Sequence, residues 1–223
     1  MRKIVKTILN ITYRPVLVKY LSVARSHTYK GIGFSVYPGV FHPLFFYSTK
    51  LLLRHIERFP LKNRSFLELG AGSGLISLAA ARDGAHVTAT DINPRAVECI
   101  EANKALNGID MEVLHSDLFE KIPPRPFDII AVNPPYYRRR PNSDAERAWY
   151  CGENGEYFDR FFSGLRPYTH PGSEVWMILS DGCDVDMVQA LAGRYGWRLN
   201  CCATSSNWVE LNYIFRIERS GIP

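Results

Sequence analysis

The tetrapeptide Asn-Pro-Pro-Tyr at residues 133–136 follows the apolar segment "FDIIAVN", which has the composition of a buried strand. Its residue types can hold a planar nitrogen with two hydrogens, as in an amide or a base amino group. The side-chain oxygen of Asn133 can accept one hydrogen, and the carbonyl of Pro134 the other. Pro135 helps to fix the direction of that carbonyl, and Tyr136 can stack on the planar group. These residues predict catalysis by positioning, without a general base, although the tetrapeptide alone also fits an ordinary turn.

A second candidate site is the glycine-rich segment "GAGSGL", which follows the strand-like segment "RSFLEL". The dinucleotide fingerprint G-x-G-x-x-G needs a glycine where this chain has Leu75, so the spacing does not fit NAD. Glu68 stands just before the loop, where a carboxylate repels a pyrophosphate and attracts a cationic amine. The segment therefore favours S-adenosyl-L-methionine as cofactor, with S-adenosyl-L-homocysteine as product. The residues predicted to bind it here are Glu68, Gly70, Ala71, Gly72 and Gly74.

Two further acids end strand-like segments and extend this predicted cofactor site. Asp91 can accept hydrogen bonds from both ribose hydroxyls, because an ionised carboxylate has two acceptor oxygens. Asp117 is placed to accept from the adenine amino group. Either acid alone is more typical of a helix or turn cap, but together with the glycine loop they predict a cofactor pocket. Its other predicted members are Ile92 and Leu118, which can sandwich the adenine ring, and Asn93 and Asn133.

The elements that carry these residues alternate between strands and helices, which predicts an α/β fold with a mostly parallel sheet covered by helices on both faces. In such a sheet, ligands bind beyond the carboxyl ends of the strands. The glycine loop follows the first sheet strand, and residues 133–136 follow the fourth, which lies beside it. The segment "HTYKGIGFSVYPGVFHP" predicts short strands or a hairpin, and "WRLNCCAT" and "VELNYIFRIE" predict two closing strands.

The motifs "FLELGAGSG", "DIN" and "NPPY" resemble those of the Rossmann-like class I S-adenosylmethionine-dependent amino-methyltransferases, from about residue 37 to the end. The segment "AWYCGENGEYFDRFF" is similar to the one that follows NPPY in HemK-type glutamine methyltransferases, which act on the Gly-Gly-Gln loop of release factors. The resemblance implies a seven-stranded sheet with an antiparallel last strand. It also implies that Glu68, Gly70, Gly72, Asp91 and Asp117 contact the cofactor and that residues 133–136 hold the amide.

Two departures from the HemK pattern leave alternatives open. The first 36 residues are too few for the helical substrate-recognition domain of bacterial HemK enzymes, and "PGVF" resembles the small-domain methyltransferases that modify guanine amino groups in ribosomal RNA. The preferred substrate is therefore a glutamine amide of a release-factor-like protein. The alternatives are a base amino group of ribosomal or transfer RNA, or a non-catalytic RNA-binding module of the same fold. A nucleotide-binding oxidoreductase is disfavoured by Glu68 and Leu75.

The charge of the chain is uneven. Its formal net charge is +5, yet no acidic residue precedes Glu57, while nine lysines and arginines do. Such a bias favours an anionic partner, with a solvated basic surface as the alternative. The run Arg138, Arg139 and Arg140 is predicted to form the substrate rim, with a solvated loop as the alternative.

Residues 1–36 are predicted to be a basic N-terminal extension with helical and strand segments, including an amphipathic helix interrupted near Pro15, and residues 37–223 a methyltransferase domain. The cysteine and histidine spacings indicate no metal site and no disulfide framework. The cysteine usage suits the cytoplasm, and no apolar stretch suits a signal peptide or a membrane span. The oligomeric state stays open.

Overall fold

The computed structural model describes residues 22–44, 47–207 and 210–221, so the helix predicted around Pro15 lies outside the described residues. The strands are β1 (Arg25–Tyr29), β2 (Ile32–Val36), β3 (Ser65–Leu69), β4 (His86–Asp91), β5 (Glu112–His115), β6 (Ile129–Val132), β7 (Glu174–Ser180), β8 (Trp197–Ser206) and β9 (Leu211–Arg219). The α-helices are α1 (Tyr47–Ile56), α2 (Leu75–Arg82), α3 (Pro94–Asn107), α4 (Glu156–Gly164) and α5 (Val185–Arg194). None of the helices in these ranges is long and apolar enough to cross a bilayer.

Seven strands form one sheet in the order β5-β4-β3-β6-β7-β9-β8. The pairs from β5 to β7 are all parallel, whereas β9 runs antiparallel to both of its neighbours. The predicted seven-stranded, mostly parallel sheet with an antiparallel last strand is confirmed. The order also places β3 and β6 side by side, so the glycine loop and residues 133–136 leave the sheet at neighbouring positions along one edge.

Helices cover both faces of the sheet, as predicted, because successive side chains of a strand point to opposite faces. In β3, Phe66 packs into a core beneath α1, α2 and α3, while Leu67 packs into a second core beneath α4 and α5. In β6, Ile129 likewise packs into the first core and Ile130 into the second. The central strands are therefore packed on both faces, and this packing fixes where the loops at the strand ends begin.

The hairpin β1–β2 packs against the first of these cores. The two strands pair antiparallel, which confirms the predicted hairpin. Ile32, Phe34 and Val36 alternate with less buried residues and lie in the same core as α2 and α3. Residues 25–36 thus share a core with the sheet domain that follows them in the chain.

Phe34→Ala tests how strongly the hairpin contributes to this core. Phe34 is fully buried, so we expect the free energy of unfolding to fall by about 3–5 kcal/mol in urea denaturation, as for other large buried aromatic side chains. Val23→Ala is the control, because Val23 precedes the same hairpin but is 56% exposed, and it should change stability by less than ~0.5 kcal/mol. A Phe34→Ala effect no larger than the control's would mean that the hairpin is only loosely attached.

Candidate active site

The loop between β3 and α2 needs glycine at three positions. Gly70, Gly72 and Gly74 have φ values of +68°, +58° and +78°, in the left-handed region that favours glycine. Space is also short, since a Cβ on Gly74 would lie 3.2 Å from the Ile100 side chain. With glycine at these positions, no Cβ covers the backbone of the loop.

Asp91, at the end of β4, holds this loop. Its Oδ2 accepts from the Gly72 amide at 2.8 Å, and its Oδ1 accepts from the Asn93 amide at 2.9 Å. Burial raises the pKa of Asp91, and these amide hydrogen bonds oppose the increase. Each carboxylate oxygen keeps a further acceptor position for a ribose hydroxyl. The side chain of Asn93 caps α3 by accepting from Arg95 N, and it donates to Gly39 O at 3.0 Å.

Glu68 lies within β3 and is only 5% exposed. Its Oε2 accepts hydrogen bonds from the backbone amide and the hydroxyl of Ser77. Burial raises the pKa of Glu68 from 4.5 to about 8. The carboxyl is therefore mostly protonated at neutral pH, and a cationic amine beside it would favour the charged form.

Arg160 and Tyr157, on α4, join the acids of the predicted adenine pocket. Arg160 donates to Asp117 at 2.8 Å and to Glu120 at 2.9 Å, which holds Asp117 in place. Leu118 has a positive φ of 50°, a strained backbone conformation that turns the chain at this point. Arg160 and Tyr157 were not found by sequence reasoning, since no local motif links them to Asp117.

Asn133 is oriented by the first turn of α1. Its Nδ2 donates to Ser48 Oγ and Thr49 Oγ1, both at 3.3 Å, and these hydroxyl residues are buried. The Oδ1 atom receives no hydrogen bond from any side chain of residues 22–44, 47–207 or 210–221, so it is available as an acceptor. Ser48 and Thr49 were also missed in the sequence, where they look like ordinary helix residues.

Tyr136 sits beside Asn133 with its ring 4.9 Å from that of Tyr137. Burial raises its pKa, and a hydrogen bond with Ser180 opposes this. The phenol therefore stays neutral at physiological pH and offers an apolar, uncharged ring.

One cavity of about 220 Å³ brings the predicted residues together. Its walls also include the segment from Gly39 to Phe41 and the loop around Trp149, whose ring lies 5.1 Å from that of Phe41. Gly74 is not among the lining residues, because it packs behind the loop against Ile100. The predicted residues that line the cavity are Glu68, Gly70, Ala71, Gly72, Asp91, Ile92, Asn93, Asp117, Leu118, Asn133, Pro134, Pro135 and Tyr136.

The three arginines of the predicted rim do not line this cavity. Arg138 donates to Glu153 O and pairs with Asp184, and Arg139 pairs with Glu146 and stacks 3.8 Å above the ring of Tyr150. Arg140 is exposed and forms no ion pair with any residue that the structure describes. Arg138 and Arg139 thus fasten the loop that follows residue 136, and contact with substrate stays a prediction.

The chain is similar in sequence to known methyltransferases. Residues 31–148, more than half of the chain, match the model of the family "Methyltransferase small domain", and the chain belongs to this family of methyltransferases. It is 36% identical over 160 residues to the "Putative protein N5-glutamine methyltransferase" of Methanocaldococcus jannaschii, covering 68% of this chain and 77% of that protein.

A second relative is named as a methyltransferase of ribosomal RNA. The "Ribosomal RNA small subunit methyltransferase C" of Alcanivorax borkumensis is 31% identical over 145 residues, which is 64% of this chain but only 41% of that protein. Among solved structures, a chain of the E. cuniculi Mtq2–Trm112 complex, which methylates the eRF1 translation termination factor, has the same fold. Its TM-score is 0.62 at 23% identity, with 82% of this chain and 99% of that chain covered.

Glu68 makes stability depend on pH. Its pKa is higher in the folded protein than in the unfolded chain, so its contribution to stability is fully present below pH 4.5 and is lost as the pH rises to about 8. We expect this group alone to lower the free energy of unfolding by on the order of 1 kcal/mol per pH unit within that window. Urea denaturation at pH 5.5 and 7.5 measures the effect. Glu68→Gln, which can still accept from Ser77, should remove this part of the dependence, and equal pH dependence in both proteins would contradict the assignment.

Proposed function

We propose that this methyltransferase transfers a methyl group from S-adenosyl-L-methionine to the amide nitrogen of a glutamine side chain in a protein. The observation that carries the proposal is the orientation of Asn133. Because Ser48 and Thr49 take up the amide hydrogens of Asn133, its Oδ1 is left to accept a hydrogen from the substrate nitrogen.

The residues around the glycine loop fit the methyl donor. The loop offers an open backbone at Gly70 and Gly72, Asp91 offers acceptors for two hydroxyls, and Glu68 offers a site for a cationic amine. Ile92 and Leu118 supply apolar surface for a flat ring, with Asp117 as acceptor for its amino group. When bound, the donor supplies a methyl group activated by a positively charged sulfur.

The acceptor nitrogen is held by the chain's own residues. Asn133 Oδ1 and the Pro134 carbonyl accept its two hydrogens, so that its remaining electron pair can face the donor. As the nitrogen becomes positive, both hydrogen bonds strengthen, which stabilises the transition state more than the ground state. Tyr136 packs on the planar group and keeps water away. No residue has to remove the proton before the methyl group is transferred.

A glutamine amide is preferred because a relative covered over 77% of its own length is named a protein N5-glutamine methyltransferase. The loop that carries Trp149 and leads into α4, which resembles the corresponding HemK segment, also forms part of the cavity wall. A release factor with a Gly-Gly-Gln loop is therefore the proposed substrate.

A base amino group in RNA is the second candidate, and a basic surface favours it. Lys50, Arg54, Arg58 and Lys62 follow one another along α1 and the turn after it, and none forms an ion pair with a described residue. We call these four residues the α1 basic stripe. Lys50 and Arg54 are one helical repeat apart, about 6 Å along the axis, so both can face the same polyanion. Lys50 follows Thr49 in the chain, so the stripe begins within one helical turn of the residues that contact Asn133.

Asn133→Ala separates catalysis from donor binding. We expect turnover to fall about a hundredfold or more, because one aligned acceptor is worth a few kcal/mol in the transition state, while the affinity for S-adenosyl-L-homocysteine stays within about twofold. Transfer of labelled methyl groups and titration calorimetry measure the two quantities. Unchanged turnover in the variant would mean that residues 133–136 form an ordinary turn and take no part in catalysis.

The substrate is tested by offering labelled donor to release factors and, separately, to ribosomal and transfer RNA at two salt concentrations. We expect label in the release factor, with little dependence on salt, and the same activity when Lys50, Arg54 and Arg58 are all replaced by glutamine. Replacing Arg138 and Arg139 is less informative, since both hold the loop. Label in RNA that declines steeply with salt and is lost in the glutamine variant would establish the RNA alternative instead.

A further inference from the structure

Two asparagines on α3 hold strand β2 by its backbone. Asn107 accepts from Gly33 N at 3.0 Å and donates to Gly33 O at 2.7 Å. Asn103, one turn earlier, accepts from Ser35 N at 2.7 Å and donates to Ser35 O at 2.8 Å. The side-chain amides thereby act as a substitute for a neighbouring strand along this edge of β2.

Asn103 makes one contact that Asn107 does not. Its second amide hydrogen is donated to the carbonyl of Ser73, in the middle of the glycine loop, at 2.9 Å. Asn103 is 1% exposed and Ser73 is 2% exposed, so this carbonyl is shielded from water. Without Asn103, a buried acceptor would lose its partner, which is costly because water cannot replace it.

The residues on either side of Ser73 are held by hydrogen bonds to other groups. Gly72 N donates to Asp91, and Gly74 N donates to Ala71 O at 2.8 Å. The loop is therefore held by Asp91 on one side and by Asn103 on the other. Glycine-rich backbone has many accessible conformations, and a loop fastened at both sides loses less entropy when a ligand binds.

We propose that Asn103 is a positioning residue for the methyl donor. By joining Ser73 to Ser35, it keeps the glycine loop in its binding conformation only while strand β2 is docked on α3. The hairpin β1–β2 is thereby coupled to donor binding without touching the donor. This inference rests on the proposed donor site and is independent of whether the acceptor is a glutamine or a base.

The contrast between Asn103 and Asn107 provides the experiment. Asn103→Ala and Asn107→Ala each remove two hydrogen bonds to β2, so both should lower the unfolding temperature. Only Asn103→Ala releases Ser73, and we expect it to weaken binding of S-adenosyl-L-homocysteine about tenfold, against at most about twofold for Asn107→Ala. Titration calorimetry gives the affinities, with the folded fraction of each variant measured by circular dichroism. In turnover assays the KM for the donor should rise in Asn103→Ala, while kcat at saturating donor stays near that of the wild type.

Asn103→Asp and Asn107→Asp form a second pair in case the alanine variant does not fold. An aspartate at position 103 would be protonated or unpaired among buried carbonyls, so it is informative only for donor affinity measured on the folded fraction, where a neutral carboxyl can still donate one hydrogen bond and a charged one cannot. We therefore expect a weaker donor affinity in Asn103→Asp than in Asn107→Asp at a pH at which the carboxyl is charged. Equal donor affinity in the Asn103 and Asn107 variants would overturn the proposal and leave Asn103 a purely structural residue. Failure of the wild-type protein itself to bind S-adenosyl-L-homocysteine would overturn the donor site and, with it, this inference.

Discussion

A single half-buried carboxylate organises the cleft. Asp91 accepts the amide of Gly72 and the amide of Asn93, and so it fastens the glycine loop, the end of β4 and the start of α3 to one another. A charge that is partly shielded from water depends on the hydrogen-bond donors that stay in place around it. Displacement of either the loop or the helix start would leave the carboxylate uncompensated. The geometry of the pocket therefore depends on keeping the hydrogen bonds of the Asp91 carboxylate.

The parts of the site that lie at strand ends could be predicted from the sequence. Asp91, Asp117 and Asn133 each end or follow a strand, and the carboxyl ends of parallel strands meet at one edge of a sheet. Their distance from one another in the chain does not matter, because the alternation of strands and helices already defines the edge. The mostly parallel sheet and the position of β6 beside β3 were predictable for the same reason, whereas the antiparallel last strand was implied by the resemblance to class I methyltransferases.

The parts that depend on how helices dock could not be predicted. Arg160 reaches Asp117 across 43 positions in the chain, and Ser48 reaches Asn133 across 85. Nothing local marks such pairs, since their meeting depends on the packing of α4 and α1 against the sheet. The run Arg138, Arg139 and Arg140 is the opposite case, in which a local pattern was clear but its contacts were not predicted. Its charge suggested a surface for substrate, yet Arg139 finds an acidic and an aromatic partner in its own loop, and Arg138 pairs with Asp184 at the start of α5.

Strand β9 lies between β7 and β8, although it is the last of the three in the chain. If β8 added to β7 directly, it would occupy the position that β9 needs. Only four residues connect β8 and β9, so we expect these strands to form their own antiparallel pair first and the hairpin then to dock against β7. Short hairpins close within microseconds, far faster than strands that are distant in the chain find each other. We therefore expect correct assembly of this side of the sheet to depend on timing, with fast closure of the β8–β9 hairpin keeping β8 from pairing directly with β7.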